Sequence, residues 1–284
     1  MAEIRSIQTE KVPLPSRALP YKKELQVPSK VLVRPFLTED QKGLFGTGGS
    51  FGLDLLIDNC LNGPDYKFHA KDLIAADKAM ILVRLRAITL GKDFEIEYIC
   101  PHCGSTVKYV WDLDKIQVNY LSTDEYPIRL ELPKSAYTVE WVFLTDADLE
   151  EVEEILTKKA EMFEVFDKRL ERRGFRTARH ITSVDGNPVD LQDAWEFWSK
   201  LPAEDSAYLD FVNRELDIGP EVRATIKCSS PSCGREFPVI MRTGLDFFRP
   251  KFKLPKGLGV KKSGLDVDSD PTDSSSVLRE YSDE

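Results

Sequence analysis

Two stretches that repeat one plan decide the fold: Phe94–Trp111, FEIEYICPHCGSTVKYVW, and Val222–Met241, VRATIKCSSPSCGREFPVIM. In the first, Phe94, Ile96 and Tyr98 alternate with Glu95 and Glu97, which is the period of a strand with one covered face. The turn Cys100-Pro101-His102-Cys103-Gly104 follows, and Val107, Tyr109 and Trp111 then restore the alternation. In the second, Val222, Ala224 and Ile226 lead into Cys228-Ser229-Ser230-Pro231-Ser232-Cys233-Gly234, and Phe237, Val239 and Met241 lead out. Each stretch reads as an antiparallel hairpin whose tip carries two thiols. Gly104 allows the positive φ that such a turn needs, and the second turn is a longer version of the same device.

A tight turn between strands presents two sulfurs to one ion, and zinc at structural sites prefers a closed tetrahedron of soft ligands. Cys100, Cys103, Cys228 and Cys233 are therefore predicted to hold one structural Zn2+. The half-sites lie about 120 residues apart, and closing such a loop costs about 4 kcal/mol. Apparent zinc binding in finger peptides is roughly 10 to 16 kcal/mol, so the ion offsets closure several times over. The separation then means that the chain from Leu121 to Gly219 is an insertion that returns to where it left. A redox CxxC would open a helix, whereas this one joins strands. Five cysteines are an odd number, and a reducing compartment disfavours a disulfide framework. His102 sits between two thiols whose partners already complete a four-sulfur set. Cys60 shares a helical stripe with Leu53, Leu56 and Ile57 and reads as a small core residue.

Outward from the hairpins, the expected class is α+β: zinc-ribbon-like antiparallel hairpins, an N-terminal helical layer and an inserted helical module. Residues 1–29, with Pro13, Pro15, Pro20 and Pro28 and no regular period, read as an extended arm. Residues 30–120 hold a strand at Lys30–Arg34, helices over Leu53–Leu61 and from about Ala70 to before Gly91, and the first hairpin. Gly46–Gly52 reads as a flexible turn. Residues 121–219 hold strand-like segments at Ile128–Leu132 and Tyr137–Leu144. One long helix is expected there from Leu149 to Leu170, opened by Thr145 with Asp148, and two more around Leu191–Trp198 and Tyr208–Leu216. Residues 220–250 are the second hairpin with its exit, and residues 251–284 a flexible acidic tail too poor in large apolar residues to fold alone.

Other chemistry is thin. No apolar run approaches the roughly 20 residues of a membrane helix, and the N-terminus lacks the apolar stretch of a secretory signal. Synthesis in a reducing cytoplasm and no membrane partner are expected. The net charge of -9 opposes nucleic acid unless basic residues concentrate locally. They do so once, at Lys168, Arg169, Arg172, Arg173, Arg176 and Arg179, which reads as a solvated helix end or a protein contact. His69, His102 and His180 are the only histidines, and none is spaced to activate a nucleophile. Glu150, Glu151, Glu153 and Glu154 lie off the apolar stripe of their helix and read as a solvated face. The glycine run at Gly46 lacks the ending of a phosphate-binding loop.

Taken in order, Val27-Pro28-Ser29-Lys30-Val31, the strand into CPHCG, Val110-Trp111-Asp112-Leu113 and Leu132-Pro133-Lys134-Ser135 form a pattern. Ser183-Val184-Asp185-Gly186, Leu201-Pro202, Cys233-Gly234 and Asp246-Phe247-Phe248-Arg249-Pro250 continue it. Together they resemble the baseplate hub, or hub-assembly, proteins of T-even-type contractile-tailed bacteriophages, over most of residues 27 to 250. The resemblance implies a protein of the tail baseplate, either built into the hub or chaperoning hub and tape-measure proteins in the host cytoplasm. That it is no enzyme is expected from the four-thiolate shell, which leaves no open position for substrate. Its partners would be other phage tail or baseplate proteins. The longer CSSPSCG turn departs from a compact CxxC. A zinc-ribbon nucleic-acid-binding factor is the alternative that the ribbon and the basic cluster leave open.

Overall fold

Residues 9–47, 49–63, 66–162 and 167–250 are described by a computed structural model. The tail read at 251–284 and the first eight residues of the arm lie outside the described residues. Helices and short antiparallel sheets share the chain, so the protein is α+β.

The chain opens with β1 (Glu10–Pro13), paired antiparallel with β2 (Lys30–Val33) so that Val12 faces Val31. The described part of the segment expected to run as an arm is extended at β1, but it enters the core: Val12, Leu14 and Ser16 are buried. Ser16 N–H and Oγ–H donate to Asp77 at 2.9 and 2.5 Å, and the Tyr21 hydroxyl donates to the same carboxylate at 2.5 Å. Prolines erase a readable period there, while these long-range bonds hold the backbone in place.

Next come α1 (Thr38–Thr47) and α2 (Gly49–Cys60). The stretch Gly46–Gly52, expected as a flexible turn, thus falls largely within two helices. Leu44, Leu56 and Ile57 are fully buried, and tertiary packing of this kind outweighs the cost of about 1 kcal/mol for each helical glycine. Gly43 also admits the Leu55 side chain into the space a Cβ would fill. At the start of α1, buried Asp40 accepts the Leu37 N–H and both arms of the Arg34 guanidinium, at 2.8 and 3.1 Å. α3 (Ala75–Leu90) has Ile81, Leu82, Val83 and Leu85 all buried, as befits a helix covered on several sides, and Gly91 at φ 94° ends it.

The first hairpin is β3 (Asp93–Ile99) with β4 (Thr106–Asp112), in the register Phe94 opposite Trp111 and Ile96 opposite Tyr109. The chain then leaves through β5 (Val118–Asn119). β6 (Ile128–Glu131), β7 (Thr138–Trp141), β8 (Ile181–Val184) and β9 (Asn187–Pro188) form a sheet in that order. Against it pack α4 (Asp146–Met162), α5 (Lys168–Arg179) and α6 (Leu191–Ser199), followed by α7 (Ala203–Glu215). The single helix expected over Leu149–Leu170 therefore does not form: α4 runs to Met162, Asp167 belongs to no helix, and α5 starts afresh at Lys168, while Phe163 and Phe166 of the expected stripe lie outside the described residues. Packing is the reason, because Phe175 and Ala178 of α5 are buried with Val152 and Leu156 of α4, and Trp198 of α6 occupies the space left by Gly174.

The chain returns through β10 (Gly219–Pro220), which pairs antiparallel with β5. Gly219 sits at φ 123° with Ala76 of α3 against it, a place that only glycine fills without strain. The second hairpin is β11 (Arg223–Lys227) with β12 (Glu236–Ile240), and a 3-10 turn at Leu245–Phe248 buries Phe247 and Phe248. One hydrophobic cluster unites both hairpins with the N-terminal elements, and a second one draws on residues from Leu132 to Leu209. Lys78 of α3 joins them by bonding Asp54 of α2 at 3.2 Å and Asp146 of α4.

Two measurements follow from buried polar groups. Asp77→Ala strands three donors, and a loss of about 3 kcal/mol or more in unfolding free energy is expected; a loss below about 1 kcal/mol would show that the Ser16 and Tyr21 bonds are dispensable. His180 stacks on Trp141 at 4.2 Å between ring centroids and donates from Nδ1 to the Val142 carbonyl at 2.6 Å. Burial pushes its pKa down to about 4. The unfolded chain takes up this proton near pH 6.5, so His180 contributes stability in full above that pH and loses it as pH falls toward 4. The contribution is about 3 kcal/mol. Urea titrations across this window should show a steeper loss for the native chain than for His180→Phe, which keeps the stack.

Candidate metal centre

Both hairpin tips are built alike. Cys100 N–H donates to the Ser105 carbonyl at 2.9 Å, and Gly104, at φ 73°, donates back to the Cys100 carbonyl at 2.9 Å. In the second tip Cys228 N–H donates to the Arg235 carbonyl at 2.9 Å, while Cys233 and Gly234 both donate to the Ser230 carbonyl. Gly234 has φ 58°. In each tip, then, the first cysteine ends a strand with its backbone still paired, and a left-handed glycine turns the chain just after the second.

The tips meet. Cys100 Sγ lies 3.9 Å from Cys233 Sγ, Cys103 Sγ lies 3.6 Å from Cys228 Sγ, and all four sulfurs are within 4.8 Å of one another. A tetrahedron with metal–sulfur bonds of about 2.3 Å has edges of about 3.8 Å, so the donor set fits a tetrahedral ion. A disulfide needs about 2.05 Å, and all five cysteines are free thiols. Cys100 and Cys228 are buried at the end of the first hydrophobic cluster, whereas Cys103 is exposed. Four cysteines placed this way can hold a metal ion.

Electrostatics points the same way. The hydroxyl and then the backbone N–H of Ser105 pull the Cys103 thiol down to about 6. The Ser230 backbone favours ionised Cys228, yet desolvation and the neighbouring sulfurs together push that thiol up to about 12. Sulfurs this close resist sharing several negative charges, and a bound cation reverses that balance.

The tips do not depend on sulfur contacts alone. Trp111 Nε1–H donates to the Tyr98 hydroxyl at 3.0 Å, and that hydroxyl donates to the Ile240 carbonyl at 3.2 Å, linking β4 through β3 to the end of β12. Phe247 packs edge-on against Phe94 at 4.8 Å, with the Arg86 guanidinium 4.8 Å from the Phe94 ring. Neither contact has a local sequence signal, because the residues that make it are remote in the chain.

The remaining candidates fall elsewhere. His102 is exposed and outside the sulfur cluster. Cys60 is fully buried in the first cluster, and burial, reinforced by Asp40, pushes its thiol up to about 12. His69 lies 3.5 Å from Asp58 on the surface. On α4, Glu153 pairs with Arg172, Glu151 with Arg179 and Glu154 with Lys158. No helix among the described residues is long and apolar enough to cross a membrane.

A protein-family model described as T4 bacteriophage base plate protein matches residues 16–249. No curated protein and no solved structure matches the chain. The matched stretch begins at Ser16, one of the buried ties to α3, and contains both hairpins.

Burial and geometry set a thiol-labelling order. In folded protein treated with a chelator, alkylation is expected first at exposed Cys103 and then at half-buried Cys233, whereas Cys60 should react only after unfolding. Peptide mapping that found Cys60 modified in the native state would contradict its placement in the core.

Proposed function

The chain belongs to the T4 bacteriophage base plate protein family, and from that premise we propose that it is a structural or assembly component of the baseplate hub, stapled by zinc. Cys100, Cys103, Cys228 and Cys233 are the proposed ligands. The observation that carries this reading is the sulfur set itself. Its four donors are all soft, two of its edges, 3.9 and 3.6 Å, are close to those of a tetrahedron of about 2.3 Å bonds, and the paired cysteines come from opposite ends of an insertion.

With four protein ligands the ion has no open position for water or substrate, unlike a catalytic zinc with three. Zinc here orients surfaces and activates nothing. It clamps the two ribbon hairpins of residues 30–120 and 220–250 and thereby sets the base from which the module of residues 121–219 projects. Partners are other tail proteins, and in an assembly role the tape-measure protein is among them. Such a chain acts in the host cytoplasm during assembly, and as a built-in part it stays in the virion tail.

Nucleic acid is the weaker partner. Much of the basic run that favoured it is occupied: Arg172 bonds Glu153, Arg173 bonds Asp210, and Arg179 bonds Asp148 and Glu151. These pairs remove charge that phosphate neutralisation would need.

The test has a chemical arm and a biological arm. Metal analysis of native protein is expected to give about one zinc per chain, and Cys100→Ala with Cys228→Ala to abolish it and lower thermal stability. In phage carrying the double variant, baseplate assembly should fail. Recovery of the native chain from purified virions identifies a built-in hub part, and its absence alongside an assembly defect in a knockout identifies an assembly factor. Metal-free native protein sinks the zinc staple; normal tails from a knockout sink the baseplate role.

A further inference from the structure

A cleft of about 570 Å³ opens between α5 and α7, lined among others by Arg172, Arg173, Arg176, Thr177, Asn213 and Arg214. Its guanidinium groups are not equivalent. Arg172 is engaged twice by Glu153, at 2.6 and 2.9 Å, and Arg173 is engaged by Asp210 at 2.5 Å. Arg214 spends only its Nε on the Asp210 backbone carbonyl, at 3.3 Å. Among the described residues no carboxylate lies within ion-pair distance of Arg176 or Arg214. Each helix thus offers one exposed guanidinium with no carboxylate bonded to it, although Glu153, which Arg172 holds, is within electrostatic range of Arg176. The amide of Asn213 and the hydroxyl of Thr177 add neutral donors. His180, also in the lining, is held neutral by its burial, which outweighs the opposing pull of its bond to the Val142 carbonyl.

We propose that this cleft is a docking site for a short acidic segment of a partner protein, with Arg176 and Arg214 each gripping a carboxylate. Planar guanidinium groups take carboxylates in paired, charge-assisted hydrogen bonds, a geometry that a diffuse basic surface does not offer. Two gripping points in one cleft suit a peptide bearing acidic residues a few positions apart. A nucleic-acid backbone fits less well. Its phosphates recur beyond the cleft, where α7 carries Glu204 and Glu215 and α4 exposes Glu150 and Glu154, and the whole chain carries a charge of -9. That the ligand is protein rests on the baseplate reading; that it is anionic rests on the cleft alone.

The experiment uses the full chain and a fluorescein-labelled peptide of about ten residues in which Asp and Glu alternate with Gly and Ser, titrated by anisotropy at about 0.15 M salt. Saturable binding is expected, weakened about tenfold or more in Arg176→Ala with Arg214→Ala. Arg129→Ala, on the exposed face of β6, should bind as the native chain does. Both arginines of the double variant are exposed, so its thermal melt and zinc content should be unchanged, which separates lost binding from lost folding. No saturable binding, equal binding by the double variant, or tighter binding of a single-stranded oligonucleotide of equal charge overturns the proposal. Because the titration needs no phage, its failure leaves the baseplate role standing. Normal tails from a knockout would remove that role without touching the titration.

Discussion

Two hairpin tips 125 residues apart in sequence, Cys103 to Cys228, are brought to a sulfur–sulfur distance of 3.6 Å. Everything between them has to begin and end at nearly one place. The chain satisfies that constraint with a second closure just inside the first, where β5 and β10 pair across Asn119 and Gly219. Sulfur contacts alone would leave the hairpins free to pivot. The Trp111–Tyr98–Ile240 relay and the Phe94–Phe247 contact remove that freedom by tying the strands at a distance from the tips.

The same economy governs the N-terminal half of the first cluster. Asp77 and Lys78 are neighbours at the start of α3, yet they serve opposite directions. Asp77 faces inward and anchors the first strand's exit through Ser16 and Tyr21, although burial raises its pKa against those bonds. Lys78 faces the insertion and bonds Asp146 at the start of α4. An isolated ion pair at a surface contributes little, but Lys78 is mostly buried and shared by two carboxylates, which gives it geometric as well as energetic weight. α3 is therefore the element against which the hairpins, the N-terminal segment and the chain between β5 and β10 are all referenced.

Around the inserted sheet, charge is arranged for internal use before external use. The carboxylates of α4 reach arginines of α5, and Asp210 of α7 reaches Arg173. This cross-helix matching converts what looks in sequence like a basic segment next to an acidic one into a nearly compensated interface. The charge left over, not the charge present, is what a partner can read.

By itself the sequence determined the elements whose signal is local. The alternation on either side of CPHCG and CSSPSCG specified both hairpins, since a strand with one covered face must repeat every second residue. The spacing of the thiols specified that each tip offers a pair. Cys60, on a helical stripe with Leu56 and Ile57, was legible as a core residue for the same reason. Only the tertiary structure decided the features whose cause is remote. Helices across Gly46–Gly52 exist because Leu44 and Leu56 have a core to enter, and intrinsic glycine propensity argues against them. The apolar stripe from Leu149 to Leu170 looked continuous, but α4 and α5 are separate helices because Phe175 and Trp198 pack where an unbroken helix could not bring them. Ser16 and Asp77, 61 residues apart, meet for no reason visible near either one. Periodicity reports which face of an element is apolar; which other element covers that face is settled by long-range packing and by pairing of buried polar groups.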